Sequence, residues 1–189
     1  MGVFRSFIAI DVPLWVKTEI SGIQNRLRVL DLDASWVRQE NMHLTLKFLG
    51  DIDARLVPAI IKEMGAVLSP APKFSVSLGR LGAFPDLKKP RVAWIAVEDP
   101  SDVLERLWRE TEDAMWALKF PRDKRKFSPH LTVARIKSQK GNRLLAATLS
   151  AAPQTGFKPF DIASVKLYKS ELTAKGSIYT ELADVNLDG

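Results

Sequence analysis

The chain has 189 residues, 46% of them hydrophobic, enough for one domain or two small lobes sharing a core. It has no cysteine, which removes disulfides, thiolate metal sites and thiol nucleophiles, and no apolar run long enough to span a bilayer. With 28 Lys+Arg against 22 Asp+Glu the net charge is +6, a balance that suits a polyanionic partner such as nucleic acid and equally a solvated basic surface. The opening Met1 to Phe7 has an early charge and no cleavage-site pattern, so a cytoplasmic protein without a membrane partner is expected.

Val3 to Asp11 is rich in β-branched and aromatic residues and predicts a strand. Pro13 then suits the first turn of a helix carrying Val16, Ile20, Ile23, Leu27 and Leu30 at helical spacing. Trp36-Val37 is a short extended piece, and Met42 to Leu49 predicts a strand stopped by Gly50-Asp51. Alternation puts Leu44, Leu46 and Phe48 on one face of that strand and His43, Thr45 and Lys47 on the other. Asp53 is the expected cap of a helix bearing Leu56, Ile60, Met64 and Val67 and ended by Pro70 and Pro72. A strand through Phe74, Val76 and Leu78 leads into an expected loop holding Gly79, Gly82, Pro85 and Lys88-Lys89-Pro90. Arg91 to Glu98 predicts the next strand, and Leu104, Leu107, Trp108, Thr111 and Met115 a helix. Pro121 to Phe127 is a basic loop, His130 to Val133 a strand, and Gly141 to Ala151 a short helix. The tail predicts a hairpin over about 160–186, with strands from Ile162 to Leu172 and Ile178 to Val185 turning around Lys175-Gly176.

The sequence also repeats. Ile8-Ala9-Ile10-Asp11-Val12-Pro13 is similar to Ile95-Ala96-Val97-Glu98-Asp99-Pro100, 87 residues further on. The only two histidines are 87 residues apart as well, in His43-Leu44-Thr45-Leu46 and His130-Leu131-Thr132-Val133. Equal strand-helix-strand units over 3–50 and 90–137 argue for an internal duplication within a single bilobal domain, 1–189. Facing each other about an approximate two-fold axis, they would bring both motifs to one central cleft.

In an extended strand a histidine at i and a threonine at i+2 point the same way, so each motif presents an imidazole and a hydroxyl together. A lone histidine on such a strand is usually structural. Two at equivalent positions of a repeat make a general acid and base, since an imidazole pKa of about 6.5 lets one accept a proton while the other donates. In-line displacement at phosphorus needs that division, with the threonine hydroxyls on the phosphoryl oxygens. No metal or cofactor is required, and a zinc site is disfavoured because three protein ligands are not in view.

The paired motifs, the opening Arg5 to Ile10, the extended forms His43 to Gly50 and Phe127 to Arg135, and the Pro90 to Trp94 strand resemble the 2H phosphoesterase superfamily. The most similar branch is the RNA 2′,3′-cyclic phosphodiesterases, also called 2′-5′ RNA ligases. That resemblance implies an α+β bilobal fold with two antiparallel sheets enclosing the cleft and helices outside. It implies hydrolysis of a terminal 2′,3′-cyclic phosphate of RNA to a 2′-phosphomonoester, without metal, and reversible joining of RNA ends through a 2′-5′ bond; a monomer is the expected state. His43 and His130 are then the catalytic pair, His130 as base and His43 as acid, with Thr45 and Thr132 on the phosphate. Arg135 matches a phosphate-side arginine, yet alternation puts it opposite His130: either a bulge turns it inward or it is structural. Arg5 is a phosphate ligand or a solvated charge. Phe48 stacks a base or, as alternation favours, joins Leu44 and Leu46 in the core. Lys124, Arg125 and Lys126 grip the RNA backbone or are solvated surface. Small cyclic nucleotides or 2′-5′ oligonucleotides are the alternative substrates, and a non-catalytic RNA-end-binding module the alternative class.

Overall fold

The structure is a computed structural model describing residues 2–152, 156–174 and 176–189; Lys175, placed in the hairpin turn by the sequence, lies outside the described residues. In chain order the elements are β1 (Val3–Asp11), α1 (Leu14–Arg28), β2 (Ala34–Trp36), β3 (His43–Asp53), α2 (Val57–Leu68), β4 (Phe74–Phe84), β5 (Val92–Glu98), α3 (Val103–Ala117), β6 (His130–Ile136), α4 (Asn142–Ala151), β7 (Phe160–Ile162), β8 (Ser164–Thr173) and β9 (Gly176–Asn186). None of the described helices is long and apolar enough to cross a membrane.

The apolar run Phe7 to Ile10 is buried throughout because β1 is a central strand, paired antiparallel with β3 on one side and β8 on the other. The predicted tail hairpin is β8–β9 and extends that half of the fold. In the other half β5 lies between β4 and β6, with β7 beside β4 and β2 beside β6. The two expected antiparallel sheets are therefore β3-β1-β8-β9 and β7-β4-β5-β6. They are not separate: one residue pair, Leu44 opposite Leu131, joins β3 to β6 and makes a single curled sheet of the two.

The helices bury most of the predicted stripes, but Leu30 lies past the end of α1, Leu56 precedes α2 and is exposed, and Leu68 takes the core position expected of Val67. α1 packs Val16, Ile20, Ile23 and Leu27 inward, α2 packs Ile60, Met64 and Leu68, and α3 packs Leu104, Leu107, Thr111 and Met115. Fully buried Ile8, Ile20, Met64 and Leu107 each contribute about 1.5–3 kcal/mol relative to exposure. Asp53 caps as expected, although its carboxylate accepts from Arg55 N at 2.8 Å in a 3-10 turn, Ala54–Leu56, and α2 itself begins one turn later.

The sequence placed Gly79 and Gly82 in a loop, whereas both lie inside β4. A Cβ at Gly79 would collide with the Glu98 side chain and one at Gly82 with the Trp94 ring, both on the neighbouring β5. Missing side chains let the β4 backbone pass under those groups, and the β4–β5 register is irregular between Leu78 and Leu81.

The larger departure is a bulge in each motif strand. Against β5, Trp94 faces Thr132 and Ala93 faces Ala134, so Val133 is an extra residue; against β1, Ala9 faces Thr45 and Ile8 faces Lys47, so Leu46 is extra. Past each bulge the alternation resumes one residue out of phase, and in β3 a second shift follows, where Phe7 faces Phe48 and Ser6 faces Gly50, so Leu49 is extra as well. Val133 and Ala134 are both buried and Arg135 is exposed, while Leu46 and Lys47 are both buried and Phe48 is 60% exposed. The favoured core position of Phe48 and the outward position of Lys47 are thus both corrected. In β6 the bulge is pinned from outside the strand: the Val133 carbonyl accepts from the Val37 amide at 3.1 Å and from buried Gln24 Nε2 at 2.9 Å, and Gln24 Nε2 also donates to Val37 O at 2.8 Å.

Gln24→Leu removes these side-chain donors and leaves the two carbonyls short of a partner. We expect a loss of about 1–3 kcal/mol, read as a melting temperature lower by roughly 2–4 °C per kcal/mol; an unchanged melting curve would show that the bulge does not depend on Gln24.

Candidate active site

Leu44 and Leu131, joined at the one bridge between the halves, are buried. Because the strands are antiparallel, the flanking residues lie crosswise: His43 towards Thr132 and Thr45 towards His130. With both leucines pointing into the core, both imidazoles and both hydroxyls point to the other face. All four line a single cleft of about 1130 Å³.

The two imidazoles are held in the same way. His43 Nδ1 lies 2.8 Å from the carbonyl oxygen of Asn41, and His130 Nδ1 lies 2.6 Å from that of Ser128, in each case two residues back along the chain. A carbonyl only accepts, so Nδ1 carries the hydrogen in both rings and Nε2 is left as the titrating atom on the cleft side. Each ring also rests on aromatic neighbours. His43 stacks on Phe7 at 4.7 Å between centroids and meets the edge of Tyr179 at 5.3 Å. His130 meets Phe84 edge-on at 4.9 Å, with Trp94 at 6.3 Å.

Burial dominates the electrostatics. It pushes the His43 pKa down to about 4, with Lys17 and Arg135 adding to the effect and the Asn41 carbonyl and Asp11 opposing it. The His130 pKa is lowered too, first by burial and then by Arg125 and Arg135, against the Ser128 carbonyl. In both rings burial thus favours the neutral form, and the nearby cations act in the same direction.

Arg135 reaches the site by way of the Val133 bulge: it lines the cleft, and its charge acts on both histidines. Phe48, 87 residues earlier, is brought to the cleft by the equivalent bulge in β3. Of the basic loop, Arg125 and Lys126 line the cleft, whereas Lys124 is exposed and stands away from it. Arg5 does not reach the cleft either; its Nε is 3.9 Å from Asp51 Oδ1 on the neighbouring strand, the place of a solvated charge. Sequence reasoning missed Tyr179 and Arg91, which also line the cleft, and a buried ion pair beneath it between Lys47 Nζ and Glu112 Oε1 at 2.7 Å. An unbalanced lysine in a motif strand was the only trace of that pair. Among the described residues no three of His, Asp or Glu converge as metal ligands.

The fold, with this quartet of side chains at its central seam, is that of the 2H phosphoesterases. The chain belongs to the LigT-like phosphoesterase family, whose pattern it matches twice, over residues 10–94 and 95–179. It is 34% identical to the RNA 2′,3′-cyclic phosphodiesterase of Thermotoga maritima, over 98% of this chain and 96% of the relative. It is 31% identical to the protein of that name from Aquifex aeolicus, over the full length of both. Among solved structures it is similar to a Thermus thermophilus protein, with TM-score 0.81, 26% identity and 98% of each chain covered. It shares its fold with E. coli LigT in complex with 3′-AMP, with TM-score 0.82, 24% identity and 100% of each chain covered.

A histidine whose folded pKa lies below its unfolded one resists protonation in the native state, so it takes stability away as pH falls. For His43 that loss begins near the unfolded value of about 6.5 and is complete below its folded value of about 4. Proton NMR of the imidazole C–H signals should show His43 titrating near 4 and His130 below the ordinary histidine range, both moving upward when inorganic phosphate occupies the cleft. Ordinary titration of both rings in the free protein would refute the desolvated site.

Proposed function

We propose that the protein hydrolyses the 2′,3′-cyclic phosphate end of RNA to a 2′-phosphomonoester by two-histidine acid–base catalysis, without a metal ion. The observation that carries this reading is the matched pair of imidazoles, each with Nδ1 committed to a backbone carbonyl and Nε2 facing one cleft. Water attacks phosphorus and gives its proton to one Nε2; the other Nε2 protonates the 3′ oxygen as the P–O3′ bond breaks. Thr45, Thr132 and Arg135 take up the charge that builds on the non-bridging oxygens. With a 5′-hydroxyl in place of water, the same displacement joins two ends through a 2′-5′ bond, the P–O5′ bond forming as the P–O3′ bond breaks.

The negative charge of the substrate phosphate beside the two rings raises their pKa values towards neutrality. By the family resemblance His130 is the base for water and His43 the acid for the leaving 3′ oxygen.

Several features support RNA over a small nucleotide. The cleft volume of about 1130 Å³ lies above the roughly 300–1,000 Å³ usual for small-molecule sites. Arg91, Arg125 and Lys126 line it as backbone contacts and the exposed Phe48 ring offers a base a stacking face. The relatives named above carry RNA 2′,3′-cyclic phosphodiesterase as their name.

The test is turnover, in EDTA, of an oligoribonucleotide ending in a 2′,3′-cyclic phosphate. His43→Ala and His130→Ala should each lose about 10²–10⁴-fold in kcat, and the product should be the 2′-phosphate. Full activity in either variant would sink the two-histidine mechanism. Wild-type activity that EDTA abolishes and zinc restores would sink its independence of metal. In kcat/KM against pH, the limb retained by each single variant assigns acid and base.

A further inference from the structure

The ion pair of Lys47 and Glu112 lies beneath the cleft, yet the chemistry above has no use for it. Both residues are nearly inaccessible, at 4% and 3% exposure. Burying two charges is costly, and an apolar pair of the same volume would often serve the core as well or better, so stability alone does not explain it. What an apolar pair could not do is meet the backbone of the basic loop. Lys47 Nζ donates to Glu112 Oε1 at 2.7 Å and to the Pro121 carbonyl at 2.9 Å, while Glu112 Oε2 accepts from the Asp123 amide at 3.2 Å. The pair thus offers the loop one donor and one acceptor, two residues apart.

From Asp123 the contacts continue outward. Its carboxylate accepts from Arg125 N and Nε at 3.0 Å and from Arg125 Nη2 at 2.6 Å, and Arg125 in turn acts electrostatically on His130. Lys47 reaches this position only because the Leu46 bulge turns it inward; regular alternation would have left it beside Thr45. The same irregularity therefore exposes Phe48 and anchors the loop.

Resting on the RNA reading of the cleft, we propose that the Lys47–Glu112 pair is a positioning element. It holds the 121–127 loop so that Arg125 and Lys126 meet the RNA backbone, and thereby sets the preference of the site for a polynucleotide end over a single nucleotide. Neither residue touches the reacting atoms. On this proposal a nucleoside 2′,3′-cyclic phosphate depends on the histidine–threonine quartet, and the longer substrate depends on the anchored loop as well.

The test is the double variant Lys47→Met/Glu112→Leu, which removes both charges and avoids stranding either one, with thermal melting to confirm folding. On the cyclic-phosphate oligoribonucleotide we expect KM to rise about tenfold, with a salt dependence shallower by about one charge. We expect kcat to stay within about twofold, and turnover of adenosine 2′,3′-cyclic phosphate to be unchanged. Trypsin should cut the variant faster at Arg122, Lys124, Arg125 or Lys126, a readout that needs no activity. An unchanged KM for the oligonucleotide, or equal losses on both substrates, overturns the proposal. A wild-type protein inactive on both substrates defeats the phosphodiesterase reading instead, and the tryptic comparison then decides by itself whether the pair holds the loop.

Discussion

One extra residue in each motif strand decides what the cleft contains. A β-strand of strict period two would show His130 and Thr132 to the cleft and bury Arg135, and would show Lys47 and bury Phe48. With Val133 and Leu46 unpaired, the sheet keeps its apolar backing of Leu44 and Leu131 and still gains a guanidinium on one side and an aromatic ring on the other. The β6 irregularity is no slack in the chain. Its carbonyl is saturated by donors from α1 and from the residue after β2, so the extra residue belongs to the packing of a helix against the sheet.

The second organising feature is that burial lowers the pKa of both imidazoles and nearby cations add to the effect. Arg135 lies within electrostatic reach of both rings, and Arg125 and Lys17 add to it. Such a site would repel a further proton until an anion enters. An anion placed beside the two rings would raise the pKa of both. Fixed Nδ1–carbonyl bonds remove the other freedom, that of tautomer and ring orientation, before substrate arrives.

Much of this was legible in the sequence, and the limits of the rest are physical. The quartet could be read because His-x-Thr within one short strand depends only on local alternation, and the duplication because 87-residue spacing is a property of the chain alone. Phe48 and Arg135 were not settled, since the phase of a strand beyond a bulge depends on its partner's register, which no single segment encodes. Gly79 and Gly82 read as a loop because their reason, close approach to Glu98 and Trp94, lies on another strand. Lys47 and Glu112 are 65 residues apart, and neither has a sequence context that announces the other.

The duplication makes the site symmetric in its reacting groups and leaves it asymmetric in its surroundings. Both rings have the same backbone acceptor two residues back and both face a threonine of the other half. His43, however, is enclosed by Phe7, Tyr179 and, further off, Tyr168, while His130 follows an exposed basic loop and rests against Phe84 and Trp94. Deeper enclosure costs the charged form more, so the two halves part in basicity although their motifs are alike. Unequal packing around equal motifs thus gives two imidazoles of the same backbone geometry different surroundings.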